Sequence, residues 1–341
     1  MILSVATALE PSYLHLTRMT TRLGLFEHAL FDEPRPDHGF CVDDVARALA
    51  LVVRDPRPTN ELTLLAETYL SFLEAAVRPE GTVHNRRDAA GHWTDEPAVG
   101  DWWGRALGAL GVAAVHSPHL EHRRRALAAF DRAAARRSRD VRASAFAVLG
   151  AAALLRKRRA SPSARALLGA SIAVLPTVRG AEWEWPEPRL RYANATLCEA
   201  LITGGDVLGR IDLSRRGLEL LRFLLALETA PQGWLSPTGS AGRGPGDVGP
   251  LWDQQAIEVA ALADACVAAT AVSDDPLWIE GLRLAWGWFL GENDAGIAMY
   301  DEITGAGYDG LEPGGRNGNR GAESTLAALS TLQHARRFGM A

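Results

Sequence analysis

The chain of 341 residues is 47% hydrophobic and 23% charged, with a formal net charge of −5. This composition excludes a disordered chain, and without a basic stripe it offers no footprint for nucleic acid. No segment approaches the roughly 18 uninterrupted apolar residues of a membrane span.

Apolar residues recurring at i, i+3, i+4 and i+7 predict helices at about 8–24, 43–54, 60–77, 101–115, 119–136 and 140–157. The pattern continues at about 162–175, 192–204, 213–228, 252–271, 275–291 and 321–337. Beyond the first, they alternate in kind. The segments 60–77, 119–136, 162–175, 213–228 and 275–291 carry a charged face, as in ELTLLAETYLSFLEAAV, and suit an outer layer. The others are rich in Ala, Gly and Leu (ARALALVV, GRALGALGVAAV, ASAFAVLGAAALL, AIEVAALADACVAAT, AESTLAALSTL) and suit an inner one, where small residues permit close packing. The expected architecture is one all-α domain over 1–341, a ring of six helical hairpins in which the first helix pairs with the last. Repeat lengths vary too widely for an open solenoid.

The connections are asymmetric. Loops leaving inner helices are short (RDPRPT, HSPH, VSDD), whereas those entering them are long, such as PEGTVHNRRDAAGHWTDEPAVG and NDAGIAMYDEITGAGYDGLEPGGRNGNRG. In an in–out ring the long loops emerge on one face, beside inner-helix N-termini whose free N–H groups favour oxygen-rich ligands. Long loops in a compact domain are commonly functional.

Five clusters fall at those junctions. The first is HGFCVDDVARALA, with Asp43 and Asp44 followed by Arg47, which at i+3 from Asp44 can orient its carboxylate. The second is GDWWGRALG, with Asp101, Trp102, Trp103 and Arg105; one tryptophan can fill core while the other offers a flat face to sugar C–H groups. The third is WEWPEPRLRYANATLCEALI, with Trp183, Trp185, Glu187, Tyr192 and Asn194, and with Glu199 deep enough in its helix to be structural. The fourth opens with Trp252, Asp253, Gln254 and Gln255, with Glu258 deeper. The fifth places Asn317 and Asn319 in a Gly-rich loop before Glu323, Ser324 and Thr325. Ring closure sets Glu323 beside Asp43 and Asp44. Any one of these acids could instead cap a helix.

Other chemistries fit poorly. There is no GxSxG elbow, no phosphate loop and no Gly-rich turn after a strand. Cys41, Cys198 and Cys266 lie far apart without zinc-ligand spacing, as expected of reduced thiols in a cytosolic protein. The segment MILSVATALEPSYLHL lacks the build of a signal peptide, which makes the cytoplasm the expected location. No metal or other cofactor is expected.

These features resemble the six-hairpin (α/α)6-toroid glycosidases. The strings HGFCVDDVARAL, GDWWGRALGALG, LRYANATLCEALI and NRGAESTLAAL also resemble a bacterial set within that superfamily, often found near glycosyltransferase-type genes. The resemblance covers about residues 35–335 and implies an (α/α)6 toroid that acts on oligosaccharide or polysaccharide, with a glycosyltransferase as a possible associate. It departs at two places: Val45 stands in a DDNARAL-like string, and Ala193 stands where YDNARLPEALI would have an acid. The expected activity is glycosidic cleavage by two carboxylates, inverting as is common in toroid glycosidases. Candidates for the pair are Asp43, Asp44, Asp101 and Glu323. Glu323 is expected to be the acid, raised in pKa by a closed pocket, and Asp44, held ionised by Arg47, the base. Two rival readings are a non-catalytic carbohydrate-binding scaffold, and a lyase or epimerase using Tyr192, His38 or His84.

Overall fold

The computed structural model describes residues 9–177 and 183–341. Its inner helices are α2 (Val42–Val53), α4 (Asp101–His116), α6 (Val141–Lys157), α8 (Asn194–Leu208), α10 (Ala256–Thr270) and α12 (Ala322–Arg337). The outer ones are α1 (Leu14–Met19), α3 (Asn60–Ala76), α5 (Leu120–Ala133), α7 (Pro162–Ile172), α9 (Ile211–Glu228) and α11 (Leu277–Leu290). Each inner helix packs on the next in that order, α12 returns to pack on α2, and α1 lies against α12. The expected (α/α)6 toroid is the fold observed. Among the described residues β structure is confined to two-residue pairs and isolated bridges, and no helix is long and apolar enough to cross a membrane.

Local chemistry explains the boundaries. Thr59 caps α3 by accepting from Leu62 N (3.1 Å), and Asp140 caps α6 by accepting from Ala143 N (2.9 Å). The small residues of the inner ring allow backbone contact: a Cβ on Gly104 would lie 2.2 Å from Ala143 O, and one on Gly150 2.2 Å from Leu107 O. Those two glycines set how closely α4 and α6 approach. Trp103, Trp185, Trp278 and Trp288 are fully buried and fill the wider gaps between layers.

The first predicted helix is shorter than its apolar pattern suggested. Only Leu14–Met19 is helical; Thr20–Thr21 then pairs with Gly24–Leu25, Ala29–Leu30 with Glu33–Pro34, and Phe40–Cys41 with Arg86–Arg87. Gly24 breaks the helix because its backbone, at φ 149°, lies against the Phe72 ring, 2.9 Å from where a Cβ would stand. Residue 8, the expected start of that helix, lies outside the described residues. The fourth junction is also displaced. Gln254 exchanges backbone hydrogen bonds with Leu311, so α10 begins at Ala256 rather than near 252.

Below the loop face, the axis of the ring holds a chamber of about 180 Å³ walled by alanines such as Ala46, Ala109 and Ala260. Glu199 and Asp264 face into it, and Asp264 accepts a 2.7 Å hydrogen bond from His334. Burial, and then the charge of Asp264, pushes Glu199 up to about 8.

Candidate active site

The long loops enclose a cavity of about 690 Å³ over the first turns of α2, α4, α10 and α12. Its floor is built on α2. Asp44, 2% exposed, accepts from Arg47 Nη1 at 2.5 Å and from Cys41 Sγ at 3.2 Å. The other arm of the same guanidinium reaches Glu323 Oε2 on α12 at 2.7 Å. Arg47 thus holds two carboxylates on one fork, across the seam where the ring closes. Burial raises Asp44 to about 7; the Arg47 charge opposes that rise and the Glu323 charge adds to it.

Burial separates the two acids in the opposite sense to the sequence expectation. Glu323 is not a lone carboxyl in a closed pocket; it is salt-bridged, with a side chain 43% exposed. Both open their helices, but Asp44 in the first turn of α2 is enclosed, whereas Glu323 in the first turn of α12 keeps much of its side chain exposed.

On the α4 side, Arg105 lies 3.1 Å from Asp43 Oδ1 through Nε, without the alignment of a hydrogen bond, and its guanidinium sits 4.0 Å from the centre of the Phe146 ring. Burial and then the neighbouring Arg47 charge lower Arg105 to about 10. Asp101 opens α4 with no cap to make, and is raised to about 6 by burial and by its hydrogen bond to Asp140. Asp140 is committed to capping α6. Burial and that hydrogen bond both favour the protonated form of Asp101.

Ten of the junction residues come together at this cavity: Asp43, Asp44, Arg47, Asp101, Trp102, Arg105, Tyr192, Gln255, Glu323 and Ser324. Trp102 donates from Nε1 to Val83 O (2.7 Å), leaving its ring at the wall, whereas Trp103 is fully buried and donates to Ala133 O (3.1 Å). The other candidates lie outside it, for identifiable reasons. Trp185 is buried and donates to Glu187 Oε2 at 3.2 Å, while Glu187 accepts from Arg142 at 2.7 Å. Asn194 is buried, accepts from Arg191 N and donates to Glu258. Trp252 is packed on the core, and Asp253 accepts from Gln255 (2.8 Å). Gln254 is fully buried between Asp294 and Trp288. Asn317 accepts from Asn319 N, and Asn319 accepts from Phe31 N at 2.9 Å, so both serve loop structure. Neither His38 nor His84 lines the cavity; His84 stacks on Trp93. Ala193, where the resembled pattern has an acid, faces the lower chamber. Its left-handed backbone, at φ 48°, gives its N–H to Glu258 Oε1 (2.5 Å).

Sequence reasoning missed Glu27, His28, Arg86, Asp140 and Asp309, all of which line the cavity. Glu27 pairs with Arg86 and accepts Ala322 N through its carbonyl, and Asp309 accepts from Gly321 N (2.6 Å) and Ser324 Oγ (2.5 Å). None of these belongs to the first turn of an inner helix, so periodicity carried no signal for them. Asp140, the first residue of the predicted inner helix 140–157, was the readable one. Glu27, Cys41 and Asp44 bring donor atoms within 4.8 Å of one another, but Arg86 and Arg47 already neutralise the two carboxylates, so the set is poorly suited to a metal ion.

No protein-family model and no curated protein sequence matches the chain. Solved structures do. The cellobiose 2-epimerase of Bacillus thermoamylovorans B4167 superposes with a TM-score of 0.72 at 11% identity, covering 96% of each chain. A sugar epimerase from a ruminal bacterium gives 0.70 at 12% identity over 95% of each. The cellulase Cel9M of C. cellulolyticum, in complex with cellobiose, gives 0.62 at 11% identity over 92% of this chain and 88% of that one. At such identities the likeness establishes architecture: the chain has the six-hairpin (α/α)6 toroid fold that these epimerases and cellulases share.

Proposed function

We propose that the chain is a carbohydrate-active enzyme that cleaves a glycosidic bond, with Asp101 as proton donor and Glu323 as the carboxylate that activates water. The observation that carries this reading is the pairing of unlike carboxyls in one cavity: Asp101 raised to about 6 beside Asp140, and Glu323 exposed and bound to Arg47. Cleavage needs one protonated acid at the leaving oxygen and one ionised partner. The two stand on α4 and α12, on either side of α2 in the ring. Asp44, with both oxygens engaged beneath Arg47, orients that guanidinium. Trp102 and Tyr192 supply faces for sugar rings.

A second reading is sugar epimerisation, favoured by Arg105, whose buried Nε lacks a hydrogen-bond partner and whose charge could polarise a carbonyl oxygen. One experiment separates the two. A panel of α- and β-linked oligosaccharides is incubated in D2O and scored for new reducing ends and for deuterium at carbon. Hydrolysis gives ends without carbon deuteration, and Asp101→Asn and Glu323→Gln each lower the rate about 10²–10⁴-fold with binding retained. Deuteration without cleavage supports epimerisation. Binding without either product assigns the fold a scaffold role.

A further inference from the structure

Phe31 stands at the tip of the hairpin formed by Ala29–Leu30 and Glu33–Pro34, with φ at 53°. Tight hairpin turns give such left-handed positions to Gly, Asn or Asp, and a bulky side chain there is an outlier. The ring is not compensated by burial, since Phe31 is 62% exposed and rests only an edge against Gly318. The turn is nevertheless fixed from both sides. Phe31 N–H donates to Asn319 Oδ1 (2.9 Å), and its carbonyl accepts Arg320 N (2.9 Å). Behind it, Arg18 pairs with Asp32 and Glu33. Strain held in place by its surroundings is typical of ligand clamps.

The position of the ring suggests what it clamps. Glu27 and His28 line the cavity on the hairpin side, and Gly321 and Glu323 line it on the α12 side. The two segments run together, since Glu27 O accepts Ala322 N (3.0 Å) and Phe31 O accepts Arg320 N. Four residues of extended chain reach at most about 13 Å, and Phe31 is hydrogen-bonded to Arg320, the neighbour of Gly321, so its backbone lies within that reach of the cavity wall. The geometry points to Phe31 as an aromatic stacking platform for the outer units of an oligosaccharide whose inner units occupy the cavity. Asn319 is then the positioning residue that holds the platform open. This rests on the carbohydrate reading of the cavity.

The test is calorimetric binding of a disaccharide and a tetrasaccharide from the cello and manno series to the full chain and to Phe31→Asn and Phe31→Tyr. The expected result is tighter binding of the tetrasaccharide by the wild type, a loss of that advantage of roughly 3- to 10-fold in Phe31→Asn, and its retention in Phe31→Tyr. Disaccharide affinity stays unchanged throughout. Because Asn tolerates left-handed backbone, Phe31→Asn should also melt higher than wild type, which excludes unfolding as the cause of lost affinity. A tetrasaccharide advantage that survives Phe31→Asn, or none in the wild type, overturns the platform while leaving the cavity reading intact. Failure of every sugar to bind overturns both.

Discussion

Asp140 shows how one side chain can set the working pH of another. Its cap on α6 fixes its side chain beside Asp101, which burial and then the Asp140 hydrogen bond raise to about 6. If Asp101 is the acid, activity falls as pH climbs through that value. Asp140→Asn keeps a competent cap but removes the charge that raises Asp101, so the alkaline limb of the pH–rate profile should move to lower pH. A limb that stays in place would identify a different group as the acid. At this scale the sequence was legible where an acid opens an inner helix, as with Asp43, Asp44, Asp101 and Glu323. It was illegible for Glu27 and Asp309, which reach the cavity through a hairpin and a loop whose courses no local pattern dictates. The aromatic and amide candidates of the third to fifth clusters were drawn largely into hydrogen bonds of the loops themselves, as with Gln254 between Asp294 and Trp288. Tyr192 and Gln255 are the ones among them that reach the cavity wall.

Between elements, the decisive feature is backbone contact at glycine. Gly150→Ala would place a methyl group 2.2 Å from Leu107 O, a backbone atom that can yield only if α4 and α6 separate, and should cost about 1–3 kcal/mol. Gly169 on α7 has nothing within 4 Å of such a methyl, so Gly169→Ala should gain about 0.5–1 kcal/mol. Chemical denaturation of the two variants should show shifts of opposite sign; shifts of the same sign would mean that helix propensity, not contact, governs both sites. This separation into inner and outer helices was readable because small-residue and charge-faced segments alternate without exception after the first. The shortened α1 was not readable, because Gly24 answers to Phe72, a residue far along the chain.

For the molecule as a whole, the axial chamber bears on stability. The folded-state pKa of Glu199, about 8, exceeds its ordinary 4.5, so the native state holds the proton more tightly than the unfolded chain does. That contribution is complete below about pH 4.5 and is lost as pH rises through 8. Glu199→Gln should therefore flatten the decline of Tm between pH 5 and 9, with its greatest advantage over wild type at the alkaline end. Parallel Tm curves would show that Glu199 ionises freely in the folded chain. Closure of the ring was legible from the count and kinds of helices; the chamber was not, since it depends on how far six alanine-rich faces stop short of the axis.

The Arg47 fork has one more consequence, for the order in which a working cavity can arise. Its two carboxylates come from α2 and α12, so the clasp joins the second helix made to the twelfth. A chain emerging from the ribosome through its first eleven helices has an Arg47 with one grip empty and an α2 flank open to water. On the proposed function, Glu323 itself arrives with α12, so the water-activating carboxylate and its Arg47 partner come together only when that last helix docks.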